Sequence, residues 1–149
     1  MRVILTLILL VSGSSASSAQ DTPTDGPWTL TVTLRGVDSE RSGTIGCALY
    51  RRAAGFPMDR SRALAVADAR GRGSTRTCAF RLPGPGTYAV AALHDEDGDE
   101  EVDTNLFGAP TEGWATTRNV THTFRAPSFE ESDFEVTARR WRIAMRMHY

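Results

Sequence analysis

Between His94 and Trp114 the chain reads HDEDGDEEVDTNLFGAPTEGW, and seven of the nine residues from Asp95 to Asp103 carry carboxylates. Asp95, Asp97, Asp99 and Asp103 stand at relative positions 1, 3, 5 and 9, with Asn105 at 11. A hard cation needs several oxygens converging on one point. Alternate residues of a tightly turning loop can supply them, and a backbone carbonyl near position 7, here Glu101, can complete the shell. Without a counter-ion the crowding is unfavourable: two carboxylates about 4 Å apart at a protein surface repel by roughly 4 kcal/mol at an effective dielectric near 20. The expected chemistry is calcium coordination by Asp95, Asp97, Asp99, Glu101, Asp103 and Asn105. It is not an EF-hand: Gly98 is at position 4, Glu100 holds position 6 and Leu106 position 12, and Pro110 and Gly113 follow where a helix would leave. The rival readings are a solvated acidic turn that binds nothing tightly, and an acidic surface that meets a basic partner without metal.

Other chemistry finds less support. The only histidines are His94, His122 and His148, and none has a second His or Cys at zinc-ligand spacing. His94 is expected to hydrogen-bond to the acidic loop and brace it. Catalysis by paired carboxylates needs two acids in distinct environments, which a run of exposed acids in one turn does not offer. The chain therefore reads as non-enzymatic, the remaining alternative being an enzyme with an unrecognised site. Phe107, Pro110 and Trp114 follow the loop, and Phe107 and Trp114 either form a ligand-facing rim or fold back to close one end of the domain. A net charge of −1 with no basic stripe excludes nucleic acid as a partner class. A protein or glycan partner is left open.

The loop must hang from something rigid. TYAVAALH, immediately before it, is apolar on nearly both faces and reads as a central strand, entered through the PGPG turn at Pro83 to Gly86. Trp28, Leu30, Val32 and Leu34 alternate with Thr29, Thr31, Thr33 and Arg35, the period of a half-buried strand. After the turn DSERSG, residues 43–51 form a second strand with Ile45, Cys47 and Leu49 inward, and the pair reads as a hairpin. Residues 52–73 stay undecided between a short strand around Leu64 to Ala67 and a helical turn. Thr75 to Leu82 alternates again, and Asn119 to Ala126 is expected as a looser strand. Ser128 with Glu131 three residues on predicts a capped helical turn. Asp133 to Thr137 and Trp141 to Tyr149 close the chain, the last strand expected to pack against the first. About seven short strands separated by turn signals predict an antiparallel β-sandwich.

At 149 residues the chain is long enough for one ordinary domain. Residues 1–19 carry Arg2, an apolar run from Val3 to Val11 and small residues ending in Ala19, the pattern of a secretory signal peptide. That run is too short to span a bilayer. Residues 20–27 read as a flexible leader and 28–149 as the single domain, periplasmic or secreted, with no stable membrane insertion. In an oxidising compartment Cys47 and Cys78 suggest one disulfide, with two buried free thiols as the alternative.

Several blocks together resemble a bacterial exported family, the proteins grouped as domain of unknown function 2141. They are Pro85-Gly86-Thr87-Tyr88-Ala89-Val90 running into His94-Asp95, then Asp97, Gly98, Asp99, Asp103-Thr104-Asn105 and Gly108-Ala109-Pro110-Thr111-Glu112-Gly113, with the later APSFEESDFEV. Members often carry Asn where this chain has Asp97 and Asp99, and Tyr where it has Trp114. The resemblance implies an immunoglobulin-like or prealbumin-like sandwich in the periplasm or outside the cell. It implies no activity.

Overall fold

A computed structural model describes residues 26–106 and 110–149. The signal-peptide segment, the leader up to residue 25, and Phe107 lie outside the described residues. Nine strands are described: β1 (Trp28–Arg35), β2 (Thr44–Tyr50), β3 (Ala65–Asp68), β4 (Arg70–Arg72), β5 (Thr75–Leu82), β6 (Gly86–Asp95), β7 (Gly113–Thr116), β8 (Phe134–Val136) and β9 (Arg140–Arg146). One sheet runs β4-β5-β1-β9, the other β3-β2-β6-β7 with β8 also paired to β6. The protein is an all-β sandwich, mostly antiparallel. The exception is the pairing of the last strand with the first, which is parallel from Thr29 opposite Arg140 to Arg35 opposite Arg146.

The alternation in the strands decides what meets in the middle. Leu30, Val32 and Leu34 of β1, Cys78, Phe80 and Leu82 of β5, and Met145 of β9 face Cys47 and Leu49 of β2 and Tyr88, Val90 and Ala92 of β6 in one core. Cys47 and Cys78, both fully buried, are joined across the two sheets with their Cα atoms 6.4 Å apart. With a sequence separation of 31, the cross-link is worth about 3–4 kcal/mol in the chain-entropy account.

β6 is apolar on its second face as well because that face is also covered. Ala48 and Tyr50 of β2 and Ala89 and Ala91 of β6 form a smaller cluster with Phe129 on the outside of the sheet. Phe56 stands edge-on to both Tyr50 and Phe129, at 5.3 and 5.9 Å between ring centres. The connection after β2 is thereby pinned over the sheet. Phe129 belongs to α1 (Phe129–Ser132), whose capping box is formed as expected: Ser128 accepts from the Glu131 N–H, and the Glu131 carboxylate accepts from the Ser128 N–H.

Two expected features differ. β1 and β2 do not form a hairpin; they lie in different sheets, because facing each other across the core buries both of their apolar sets. The segment expected as a strand from Asn119 to Ala126 is irregular. Arg118 and Asn119 sit at positive φ (65° and 53°), which breaks an extended run, and Phe124 is 87% exposed, so there is no inward face to bury. Instead the Asn119 side-chain oxygen accepts the Arg146 N–H at 2.7 Å. The undecided stretch resolves into β3 at the sheet edge after a 3₁₀ turn over Arg60–Arg62.

Candidate metal centre

β6 ends at Asp95, held opposite Thr44 of β2. Gly43 permits that anchorage: its φ is +101°, and a Cβ there would overlap the Asp95 carbonyl. Asp95 is 4% exposed, and its carboxylate turns back on the loop. One oxygen accepts the Gly98 N–H at 2.7 Å, the other the Glu100 N–H at 3.1 Å. The Asp97 carboxylate accepts the Asp99 N–H at 3.2 Å and that of Asp99 the Glu101 N–H at 2.8 Å. Such side chain-to-backbone turns two residues on are the local preference of Asp. Gly98 and Glu100 take the positive φ values, 84° and 63°, that tighten the bend.

The result is convergence. Asp95, Asp97 and Asp99 each offer a carboxylate oxygen, and the three lie within 4.8 Å of one another, Asp95 buried and the other two exposed. Oxygens in that arrangement can share a hard cation. Glu101, Asp103 and Asn105 continue the loop beyond this cluster. Glu101 gives its backbone N–H to Asp99. Asp103 lies at the loop's exit, its carbonyl accepting the Thr111 N–H at 2.9 Å. Asn105 lies between Thr104, which bridges to Pro110, and Leu106.

Glu112 is the residue that ligand spacing alone misses. It is 5% exposed. One of its carboxylate oxygens accepts the Glu96 N–H at 2.7 Å and the other the Asp103 N–H at 3.4 Å. It therefore clamps the entry and exit of the acidic loop together. The signal in the sequence is the Thr111-Glu112-Gly113 block, among those that carry the family resemblance.

A second set of contacts ties the loop to the chain terminus. Arg41 bonds Glu96 at 2.6 Å and lies over the Tyr149 ring, 4.9 Å from its centre. Glu96 holds the Arg41 guanidinium above its ordinary pKa. The Tyr149 hydroxyl accepts the Asp38 N–H at 3.0 Å and shares a 2.9 Å hydrogen bond with His94 Nδ1. Burial raises the Tyr149 phenol above its usual pKa. His94, 2% exposed, thus braces the terminal tyrosine and not the acidic loop, because its side chain points to the face on which Tyr149 crosses Gly113. A Cβ at residue 113 would collide with that ring. Trp114, half-buried on β7, pairs through its backbone with His148 and has the imidazole 5.2 Å from its ring. It closes the sheet on this side.

A β-sandwich whose central strand ends in a self-folded acidic loop is the class of protein defined so far. The family described as "uncharacterized protein conserved in bacteria (DUF2141)" matches residues 32–144, and the chain belongs to it. No curated protein and no solved structure matches the chain.

Proposed function

We propose that the protein is an exported, non-enzymatic binding or structural module whose acidic loop takes up calcium. The observation that carries this reading is the convergence of Asp95, Asp97 and Asp99 on one point, with Arg41 the single side-chain cation hydrogen-bonded to the loop among the described residues, and that at Glu96. A divalent ion among those oxygens would neutralise them and hold the path of the chain toward Glu112. Export is supported by the amino-terminal pattern and the Cys47–Cys78 disulfide. No helix among the described residues is long and apolar enough to cross a membrane.

Extracellular calcium modules bind at about 10⁻⁴–10⁻³ M, so millimolar free calcium, about one to ten times Kd, would stabilise the fold by roughly 0.4–1.4 kcal/mol. The expected result is a melting temperature several degrees higher in millimolar calcium, reversed by chelator and absent from Asp97→Asn with Asp99→Asn. An unchanged melting temperature in millimolar calcium overturns the proposal. The metal-free acidic module has its own support, since each of the three carboxylates already accepts a backbone N–H. It predicts binding to a basic partner that weakens with salt and ignores chelator.

A further inference from the structure

Part of the outer face of the β3-β2-β6-β7 sheet is floored by small residues, Gly46, Ala48 and Ala91. Cross-strand register sets Ala48 beside Ala91 and Thr116, and Gly46 beside Leu93 and Trp114. Such a floor leaves room that larger side chains would fill. The segments around it rise as walls: Pro57 and Met58 on one side, Thr123 and Arg125 to Pro127 on another, and Val102 with Pro110 from the acidic loop. Between them lies a cleft of about 70 Å³, space for roughly five waters at about 10–15 Å³ each. Its lining is mostly apolar.

The charges in the cleft are one-sided. No carboxylate lines it among the described residues, although the chain as a whole carries net charge −1. Three side chains that are or can become cationic do: Arg60, His122 and Arg125. Two are already engaged. Arg125 bonds both oxygens of Glu131, at 2.6 and 2.8 Å, and His122 Nε2 lies 3.0 Å from the same carboxylate. Arg60 differs. Its guanidinium, on a half-buried residue, lies against Gly46, where a Cβ would come within 3.0 Å of Nη2. It has no hydrogen-bond or ion-pair partner among the described residues. A guanidinium presents a planar fork of donors that matches a carboxylate in two parallel bonds, and one held beside an apolar floor leaves that fork unused.

We propose that this cleft binds a small apolar carboxylate, with its anionic end on Arg60 and its hydrocarbon against Met58, Val102 and Trp114, above the buried floor of Ala48, Ala91 and Leu93. The site needs no cation in the acidic loop, so it stands or falls separately from calcium binding. Its contribution to function would be capture of a hydrophobic acid by the exported module.

Octanoate is the probe, octan-1-ol its uncharged counterpart, each titrated into the protein in chelator and followed by calorimetry and by the Trp114 indole resonance. Octanoate is expected to bind at a single site and shift that resonance. Octanol should bind about tenfold more weakly, the difference a charge-assisted hydrogen bond supplies. Arg60→Gln should bring octanoate down to the octanol level and leave octanol and the melting temperature unchanged. Three results would each overturn the proposal: no saturable octanoate binding, octanol binding as tightly as octanoate, or Arg60→Gln binding octanoate as well as the wild type. The last would mean that Arg60 merely lies along the sheet as a solvated cover for Gly46.

Discussion

Glu131 and the loop from Asp95 to Asp103 are both places where carboxylates crowd, and they are settled in opposite ways. Around Glu131 the chain supplies cations and a backbone donor: Arg125 by two bonds, His122 by one, and the Ser128 N–H. Led by the Arg125 hydrogen bond, these hold the Glu131 carboxyl far below its ordinary pKa. In the loop seven carboxylates gather, and the one side-chain cation bonded to them among the described residues, Arg41, is at Glu96. Among the described residues, the hydrogen bonds to the Asp95, Asp97 and Asp99 carboxylates come from backbone N–H groups. Backbone donors fix the shape of a loop without neutralising its charge. The difference teaches where an outside ion would matter: Glu131 is met by cations of the chain, whereas among the described residues no side-chain cation bonds the Asp95, Asp97 and Asp99 carboxylates.

Glu112 tests that division most severely, because it is an acid in the loop region whose role is structural. Glu112→Ala leaves two loop N–H groups, those of Glu96 and Asp103, without their acceptor. At about 1–3 kcal/mol for a buried donor left unsatisfied, it is expected to be the most destabilising change in the region. Urea unfolding measures it, and a midpoint equal to wild type would show that the clamp does not hold the loop. Next in size is a pair of charge removals with opposite signs. Without calcium, Asp97→Asn with Asp99→Asn relieves repulsion and should stabilise by about 1 kcal/mol or less, given exposed sites. Glu131→Ala loses the capping box and the Arg125 pair, and should destabilise the fold. Equal signs for the two would erase the contrast between them.

How much of this could be read from residues alone depends on the range of the interaction. The sandwich and the inward faces of β1, β5 and β9 followed from period-two alternation, a local pattern, and the Cys47–Cys78 link from there being just two cysteines, both in strand-like segments of a chain read as exported. The capping box at Ser128 is local too. The β1–β2 hairpin failed because alternation says which face of a strand is buried but not which sheet the strand joins. The Asn119–Ala126 strand failed because Val120 and Phe124 imitate alternation while the backbone at Arg118 and Asn119 turns the other way. At the site, the Asp95-Asp97-Asp99 cluster was legible from spacing. The clamp by Glu112 and the Tyr149–His94 bond were not, since the latter joins residues 55 apart and no periodicity links them.

The same contrast extends, with the smallest expected effect, to the histidines. His94 has Tyr149 and His122 has Glu131, but His148 Nε2 is buried without a partner. Burial, and secondarily the nearby Arg146 charge, lower the His148 pKa below 6.5. In the unfolded chain the imidazole takes up a proton as pH falls through 6.5, while in the folded chain it resists. The unfolded state then binds more protons, so stability falls with pH there and is fully present only above that value. The expected loss between pH 7 and pH 5.5 is a fraction of a kcal/mol, because the ring is only half-buried against Trp114. His148→Phe keeps a ring on the indole and removes the titration. Its urea midpoint should therefore fall less than that of the wild type over the same interval. An identical fall in both proteins would show that the pH dependence does not come from His148 and leave it a packing element.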